Sequence, residues 1–253
     1  MNIVLKDLPQ RTTRPRNSGL TMVMDKGLSI AQVQDLLTTC HPYVDMVKLG
    51  FGTAYVTPNV QEKINFYKNN GVAVYFGGTL FEAFVIRNQF EDYMRGIEKY
   101  KMQYVEVSDG SIEMKHEDKL NYIKRLSEIC TVISEVGSKD NQHIIPPYKW
   151  LRMIKAELEA GAWKVIAEAR ESGTTGIYMG NGEARDGLIE EILSEVPHEN
   201  VIWEAPQKVQ QEYFIKKLGS NVNLGNIAPN EVIALEAMRI GLRSDTFFHF
   251  LNK

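Results

Sequence analysis

Three glutamates lie near the ends of short apolar stretches in the middle of the chain, where they could bind a divalent cation. Glu106 occurs in YVEVSDG, Glu135 in TVISEVG and Glu168 in KVIAEAR. Each stretch predicts a buried strand, and neighbouring strands of one sheet lie about 4.8 Å apart. Carboxylate oxygens are the ligands that Mg²⁺ prefers, and without a cation three such charges would repel one another. We therefore predict that Glu106, Glu135 and Glu168 converge on one Mg²⁺ ion.

Basic residues occur close to the same predicted strand ends. They are Lys26, Lys48, Lys139, Arg170 and, within GNGEARDG, Arg185. Because an unpaired charge is costly to bury, such groups should pair with one another, bind a metal or face a ligand. These residues predict a positively charged entrance at the strand ends, which suits a small, highly charged anion.

Four further polar residues lie at predicted strand ends. Asp25 ends the first strand, Ser108 belongs to the fourth, Glu204 to the seventh and Asn226 to the eighth. We predict that Asp25, Ser108 and Asn226 contact the substrate, and Glu204 could support the metal ligands. A phosphate could also rest on backbone N–H groups where GNIAPNE begins a helix, because the helix dipole favours anions there. Which carboxylates touch the metal directly stays open at this point.

These residues require a fold that brings many strand ends together. Eight apolar stretches predict strands, which begin at residues 20, 44, 72, 104, 131, 164, 201 and 221. The intervals between them each have room for a strand, a loop and a crossover helix. This spacing predicts an α/β fold, a single-domain (β/α)₈ TIM barrel over residues 20–253 that follows an N-terminal arm at 1–19. The alternative, a doubly wound open sheet, would need a GxGxxG turn after its first strand, and the chain lacks one.

Amphipathic helical patterns fill the gaps between the predicted strands. Ser29 is a natural N-cap for the first helix. We predict one long aromatic helix over 80–101, which packs either on its own barrel or against a neighbouring subunit, so a homo-oligomer stays open. In such barrels the active site lies at the carboxyl ends of the strands, where the polar residues described above are predicted to be.

The composition argues against several classes of function. A formal net charge of −3 provides no basic excess for non-specific nucleic-acid binding. No apolar stretch approaches the roughly 20 residues of a membrane-spanning helix, and the N-terminus is too polar for a secretory signal. Cys40 and Cys130 are predicted to be free thiols, which fits a cytoplasmic protein.

Six segments of the chain resemble the phosphosulfolactate synthase family. They are GLTMVMDKG, VDMVKLGFGT, VEVSDGSIEM, VISEVGSKD, VIAEARESG and LGNIAPNEVIALEAMRIGL, and the resemblance extends from about Arg14 to Leu242. It implies a (β/α)₈ barrel and a Mg²⁺-dependent addition of sulfite to phosphoenolpyruvate, which gives (2R)-2-phospho-3-sulfolactate.

The resemblance also implies roles for the charged residues. Sulfite sulfur attacks the methylene carbon of phosphoenolpyruvate, and Mg²⁺ with cationic side chains would stabilise the resulting aci-carboxylate. We predict that Lys139 then protonates C2, because nearby cations and desolvation by substrate lower the pKa of a lysine. Lys26 and Lys48 are the next candidates for this role. Arg170 and Arg185 suit bidentate contacts with phosphate or sulfonate oxygens.

Two alternative functions stay open. Another barrel lyase, such as an aldolase, could use Lys48 or Lys139 to form a Schiff base with its substrate. The second alternative is a non-enzymatic role, because plant heat-stress proteins share this domain. The charges at the strand ends disfavour that role, since groups so costly to bury have no reason to persist in an inactive site.

Overall fold

Eight parallel strands form the centre of the fold in the computed structural model, which describes residues 4–137 and 145–251. The strands are β1 (Thr21–Asp25), β2 (Met46–Leu49), β3 (Ala73–Phe76), β4 (Tyr104–Val107), β5 (Thr131–Val136), β6 (Ala162–Ala167), β7 (Val201–Glu204) and β8 (Leu224–Ile227). Each strand overlaps the stretch predicted for it. The prediction of a single-domain (β/α)₈ barrel is confirmed.

Ten α-helices in the described part of the chain connect the strands and cover them. They are α1 (Ile30–Cys40), α2 (Thr53–Val56), α3 (Val60–Asn69), α4 (Gly78–Val85), α5 (Phe90–Lys99), α6 (His116–Ser127), α7 (Pro147–Glu159), α8 (Asp186–Glu195), α9 (Lys208–Leu218) and α10 (Val232–Arg239). Ser29 caps α1 as predicted, and its side chain and that of Gln32 each accept a hydrogen bond from the other residue's backbone N–H. None of these helices is long and apolar enough to cross a membrane.

The order of the strands brings their carboxyl ends together at one end of the barrel. Around the barrel the order is β3, β2, β1, β8, β7, β6, β5 and β4, with parallel pairing between neighbours. Lys48 on β2, for example, lies beside Met24 on β1 and Tyr75 on β3. Among the described residues no backbone ladder joins β3 to β4. The barrel is therefore nearly closed, and we call the side between β3 and β4 the seam.

The interior of the barrel consists of an apolar floor beneath a polar layer. The floor comprises the buried side chains of Met22, Met46, Tyr75, Ile133, Ile166 and Ile202. Side chains two positions apart on a strand point to the same face. Lys48, Glu135, Glu168 and Glu204 each lie two positions after a floor residue. The period of the strands therefore places these ionisable groups directly above the floor.

The predicted long aromatic helix is wrong in its extent, because the chain forms α4 and α5 instead. Asn88 separates them with a φ of 57°, a left-handed conformation that ends helices and that asparagine tolerates. Phe81, Phe90 and Tyr93 are buried in the outer core, and Phe81 packs edge to face on both of the others. These aromatic side chains thus pack on their own barrel.

The N-terminal arm lies across the end of the barrel opposite to the polar layer. Arg11 forms an ion pair with Glu236 at 2.9 Å and donates a hydrogen bond to the carbonyl of Ser220, which precedes β8. Arg16 donates two hydrogen bonds of 2.9 Å to the carboxylate of Asp45, which precedes β2. Residues 4–19 form no helix or strand, so these arginine contacts attach the arm to the barrel.

Candidate active site

A cavity of about 530 Å³ opens at the carboxyl end of the barrel, directly above the apolar floor. Its described lining residues are Met24, Lys48, Phe51, Thr79, Glu106, Glu135, Glu168, Arg170, Glu171, Ser172, Glu204 and Asn226. The three glutamates predicted to bind Mg²⁺ are among them, together with Lys48, Arg170 and Asn226 from the other predicted sets. The predicted convergence of polar strand ends on one cavity is therefore present.

A larger cavity lies beside the barrel but gathers no comparable set of groups. It measures about 1190 Å³ and lies between the loop after β4 and helix α7. Lys115, Lys149 and Arg152 line it together with Glu113 and Glu117, so its charge is mixed. The smaller cavity, where buried charges from five strand ends meet, is the better candidate for catalysis.

Three buried carboxylates at this end of the barrel are close enough to share a metal ion. One carboxylate oxygen each of Glu135, Glu168 and Glu204 lies within 4.8 Å of the others. Oxygens that surround a divalent cation at 2.0–2.6 Å lie up to about 4–5 Å apart, so these three carboxylates could surround one such ion. The group shares Glu135 and Glu168 with the predicted ligands and contains Glu204 where the prediction has Glu106.

Glu106 makes a different set of contacts from the other three glutamates. Its Oε1 accepts a hydrogen bond of 2.6 Å from the backbone N–H of Gly78, and the same oxygen lies 3.0 Å from Nζ of Lys48. Glu204 instead accepts a hydrogen bond of 2.9 Å from the backbone N–H of Ala169, at the end of β6. Glu106 thus faces the seam, whereas Glu204 faces the end of β6 and lies close to Glu168.

Lys48 lies among these carboxylates and is almost completely buried. Its Nζ is 3.0 Å from Glu106, 3.2 Å from Glu135 and 3.4 Å from Glu204. Burial alone lowers the pKa of Lys48, but the three carboxylates together raise this pKa well above its ordinary value. Burial also raises the pKa of Glu106 to about 7, while Lys48 opposes the rise and Glu135 adds to it. These contacts favour the charged form of Lys48, which argues against Lys48 as a Schiff-base nucleophile or as the proton donor.

Three cavity residues adopt a left-handed backbone conformation that is uncommon for residues other than glycine. Arg170 has a φ of 53° and Asn226 a φ of 55°, and Phe51 at the same cavity has a φ of 43°. Such conformations in residues other than glycine cost about 1–3 kcal/mol each and cluster at functional sites. The buried Oδ1 of Asn226 has no hydrogen-bond partner within the described ranges, so it is available to a ligand.

Four predicted site residues do not line the cavity. Asp25 is completely buried behind it, where its carboxylate accepts hydrogen bonds from Lys63, from Tyr67 and from the backbone N–H groups of Gly27 and Leu28. Asp25 thereby fixes the loop after β1 rather than facing this cavity.

The other three lie around the cavity or below its rim. Lys26 is exposed and forms an ion pair with Glu171, which lines the cavity. Ser108 is completely buried and donates a hydrogen bond to Glu82 in α4. Arg185 donates a hydrogen bond of 3.1 Å to the carbonyl of Gly176, within the loop that follows β6. Lys139 lies outside the described residues, so its predicted role rests on the sequence.

Sequence reasoning missed several lining residues because they carried no charge or followed no polar pattern. Phe51 and Thr79 follow β2 and β3, and Ser172 lies in the loop after β6. The glycine pair before Thr79 was a usable signal, because adjacent glycines at a strand end permit close approach of other groups to the backbone.

Comparison with known proteins gives a consistent assignment. The family model described as (2R)-phospho-3-sulfolactate synthase (ComA) matches residues 9–245. A phosphosulfolactate synthase of Bacillus subtilis (strain 168) is 41% identical over 251 residues, which cover 98% of this chain and 100% of that protein. A phosphosulfolactate synthase of Methanocaldococcus jannaschii is 44% identical over 235 residues, which cover 90% and 94%.

Solved structures share the fold at much lower sequence identity. The 3-hexulose-6-phosphate synthase of Salmonella typhimurium superposes with a TM-score of 0.58 at 12% identity, covering 88% of this chain and 100% of that one. This likeness concerns the barrel alone, whereas the family match and the relatives above extend over nearly the whole sequence. The chain belongs to the (2R)-phospho-3-sulfolactate synthase (ComA) family.

Proposed function

We propose that this protein adds sulfite to phosphoenolpyruvate and forms (2R)-2-phospho-3-sulfolactate, as a carbon–sulfur lyase acting in the synthetic direction. The observation that carries the proposal is the group of Glu135, Glu168 and Glu204, two of which contact Lys48, in a cavity at the carboxyl end of a barrel whose sequence matches this family. A site with this many buried charges suits small, highly charged substrates.

We propose Glu135, Glu168 and Glu204 as the residues that hold Mg²⁺. Their oxygens are hard ligands and are near enough to one another for one ion. When bound, Mg²⁺ would stabilise the negative charge that develops on the substrate carboxylate. Glu106 was predicted as a ligand from its strand position, but its hydrogen bond with Gly78 favours a supporting role.

The anionic groups of the substrates would meet Arg170 and Asn226. Arg170 follows Glu168, whose carboxylate accepts a hydrogen bond of 2.6 Å from the Arg170 backbone N–H. The guanidinium of Arg170 suits bidentate contact with phosphate or sulfonate oxygens. The side-chain amide of Asn226 on β8 would provide a neutral polar contact in the same cavity.

The bond changes in this reaction need one proton donor. The sulfur lone pair of sulfite forms a bond to the methylene carbon, the electron pair of the double bond moves toward the substrate carboxylate, and C2 receives a proton. We propose Lys139 as the donor, on the sequence grounds given above. The high pKa of Lys48 argues against that residue as the donor.

The decisive experiment is a direct assay of the purified protein. We expect incubation with sulfite, phosphoenolpyruvate and Mg²⁺ to yield a sulfonate product, detected by mass spectrometry, and a chelator to abolish it. Lys139→Met should abolish product as well, whereas Lys149→Met, which removes an exposed lysine that does not line the active-site cavity, should not. Folded wild-type protein that yields no product under these conditions would refute the proposal.

The competing aldolase mechanism has a different chemical signature. Borohydride reduction in the presence of a carbonyl substrate traps a Schiff base as a stable adduct on the lysine. We expect no adduct on Lys48, because its ammonium group is held by three carboxylates. An adduct found there by peptide mass spectrometry would favour the aldolase.

A further inference from the structure

The seam between β3 and β4 is closed by side chains. The carboxylate of Glu106 on β4 accepts a hydrogen bond of 2.6 Å from the backbone N–H of Gly78, the first residue of α4. Ser108, just beyond β4, donates a second hydrogen bond to Glu82 in the same helix. All four residues are buried. A carboxylate at the start of a helix is also favoured by the helix dipole.

The same carboxylate oxygen extends the connection into the active site. Oε1 of Glu106 lies 3.0 Å from Nζ of Lys48, which reaches it from β2. Lys48 in turn lies 3.2 Å from Glu135 and 3.4 Å from Glu204. A continuous series of polar contacts therefore runs from the backbone of Gly78 through Glu106 and Lys48 to two of the proposed metal ligands.

The seam leaves no room for a side chain at Gly78. A Cβ atom built at this position would lie 2.2 Å from Oγ of Ser108 and 2.8 Å from Oε1 of Glu106. Both distances are shorter than real contacts of a Cβ atom, and both neighbours are buried, so any side chain must displace them. The requirement for glycine here is one of space, because close packing brings the Glu106 carboxylate against the backbone.

We infer that Gly78 and Glu106 are positioning residues, which set the location of the Lys48 ammonium group and, through it, the carboxylates of Glu135 and Glu204. The expected effect on catalysis rests on the proposed function, in which those carboxylates serve the reaction. The expected effect on the position of Lys48 does not. It assigns Glu106 to the seam rather than to the metal, and it makes a residue without a side chain necessary for the site.

The first test compares two glycine-to-alanine variants. Gly78→Ala should displace Glu106, whereas Gly96→Ala on α5 adds a methyl group in open space and is the matched control. The position of Lys48 is followed by the ¹H–¹⁵N correlation of its Nζ, which a buried, hydrogen-bonded ammonium group makes visible. Lys48→Met identifies this signal through its loss.

We expect Gly78→Ala to lose or strongly shift the Lys48 signal and to lower kcat at least about tenfold, with less effect on KM, as for residues that orient metal ligands. Gly96→Ala should preserve both. A folded Gly78→Ala variant with an unchanged Lys48 signal and normal kcat would overturn the inference.

The second test separates a positioning residue from a metal ligand. Glu106→Gln keeps an oxygen that accepts from Gly78 and contacts Lys48, so the Lys48 signal should persist and Mn²⁺ affinity should change less than about threefold. Glu204→Gln should weaken Mn²⁺ binding more than about tenfold, since a proposed ligand loses its charge. Equal losses of Mn²⁺ affinity in Glu106→Gln and Glu204→Gln would show that Glu106 is a ligand and would overturn the inference.

These measurements distinguish failure of the inference from failure of the proposed function. If wild-type protein forms no sulfonate product, the proposed function fails, but the Lys48 signal still reports on the seam. If Gly78→Ala does not fold, Glu106→Ala decides: loss of the Lys48 signal that Glu106→Gln retains would support the inference. Retention of the signal in both Glu106 variants would contradict it.

Discussion

Lys48 determines the balance of charge at the centre of the site. It is the buried cation nearest to Glu106, Glu135 and Glu204 in the part of the chain that the structure describes. Four glutamates and one lysine in the same small volume cannot all be ionised at low cost, which is consistent with the pKa of about 7 for Glu106. A divalent cation bound there, as proposed above, would lower the repulsion among these carboxylates.

The first prediction concerns the removal of this cation. Lys48→Met should lower the free energy of unfolding by roughly 2–4 kcal/mol in the absence of metal, because it removes the buried cation that three carboxylates contact. Urea denaturation measures the change. Lys26→Met, which removes an exposed lysine at the same end of the barrel, should change it by less than about 0.5 kcal/mol. Equal stabilities of Lys48→Met and wild type would contradict the electrostatic role of Lys48.

At the scale of the element, the inner face of β6 changes along the strand from a basic side chain to an apolar one and then to an acidic one. Lys164 lies near the start of this strand and Glu168 just beyond its end, with Ile166 of the apolar floor between them. Lys164 reaches out of the floor to donate a hydrogen bond of 2.5 Å to the carbonyl of Glu199, and its Nζ also lies over the ring of Trp163. Burial lowers the pKa of Lys164 to about 8, against the opposing effect of Glu199.

The second prediction uses this shift. The pKa of Lys164 is lower in the folded chain than the ordinary value near 10.5, so the folded state disfavours its charged form. The cost is fully present below pH 8 and is relieved as the pH rises from about 8 to 10.5. We therefore compare the unfolding free energies of wild type and Lys164→Gln at pH 7.5 and at pH 10. Between these two pH values, the unfolding free energy of wild type should rise by about 1–2 kcal/mol relative to that of the variant. A difference between the two proteins that does not vary with pH would contradict the shift.

The sequence was sufficient for the eight strands but not for their lateral contacts. Eight strands and the layer of charge above them follow from apolar spacing and from the period of two along each strand. Whether Glu106 or Glu204 joins Glu135 and Glu168 depends on the strand order and on the seam, which place Glu106 against Gly78. No spacing along the chain encodes that contact, because it joins residues 28 positions apart through a backbone N–H.

The break between α4 and α5 was missed for a related reason. The apolar and aromatic pattern continues through 80–101, and Asn88 alone is a weak signal, since asparagine also occurs within helices. Burial of Phe81, Phe90 and Tyr93 on one barrel requires the chain to turn there, and this requirement is visible only in the tertiary structure. Similarly, the contacts of Asp25 with Lys63 and Tyr67 depend on how α3 packs behind β1.

At the scale of the whole molecule, the two ends of the barrel have different tasks. The carboxyl end carries the cavity and its charges, and the amino end is covered by the arm through Arg11 and Arg16. The buried guanidinium of Arg239 donates hydrogen bonds to the carbonyls of Ser220, Val222 and Leu20 at that same end. Ion pairs at the amino end thus support the fold at a distance from the proposed chemistry.

The third prediction tests this division. Arg16→Ala removes the bidentate partner of the nearly buried Asp45 carboxylate, which keeps Arg14 and the backbone N–H of Thr21, so we expect a loss of roughly 1.5–3 kcal/mol in unfolding free energy. KM for both substrates should stay within about twofold of wild type, because the substitution lies at the opposite end of the barrel. Arg95→Ala, which removes an exposed ion pair, is the control for stability. A change in KM without a change in stability would contradict the division between the two ends.

The seam between β3 and β4 affects how easily the barrel can widen. A ring whose strands are joined all round by backbone ladders resists changes of circumference, whereas in the described part of this barrel a carboxylate and a hydroxyl connect β4 to the helix that follows β3. We expect widening of the barrel to occur first at these side-chain contacts, one of which also contacts Lys48. Strain at the seam should therefore reach Lys48 and the glutamates beside it.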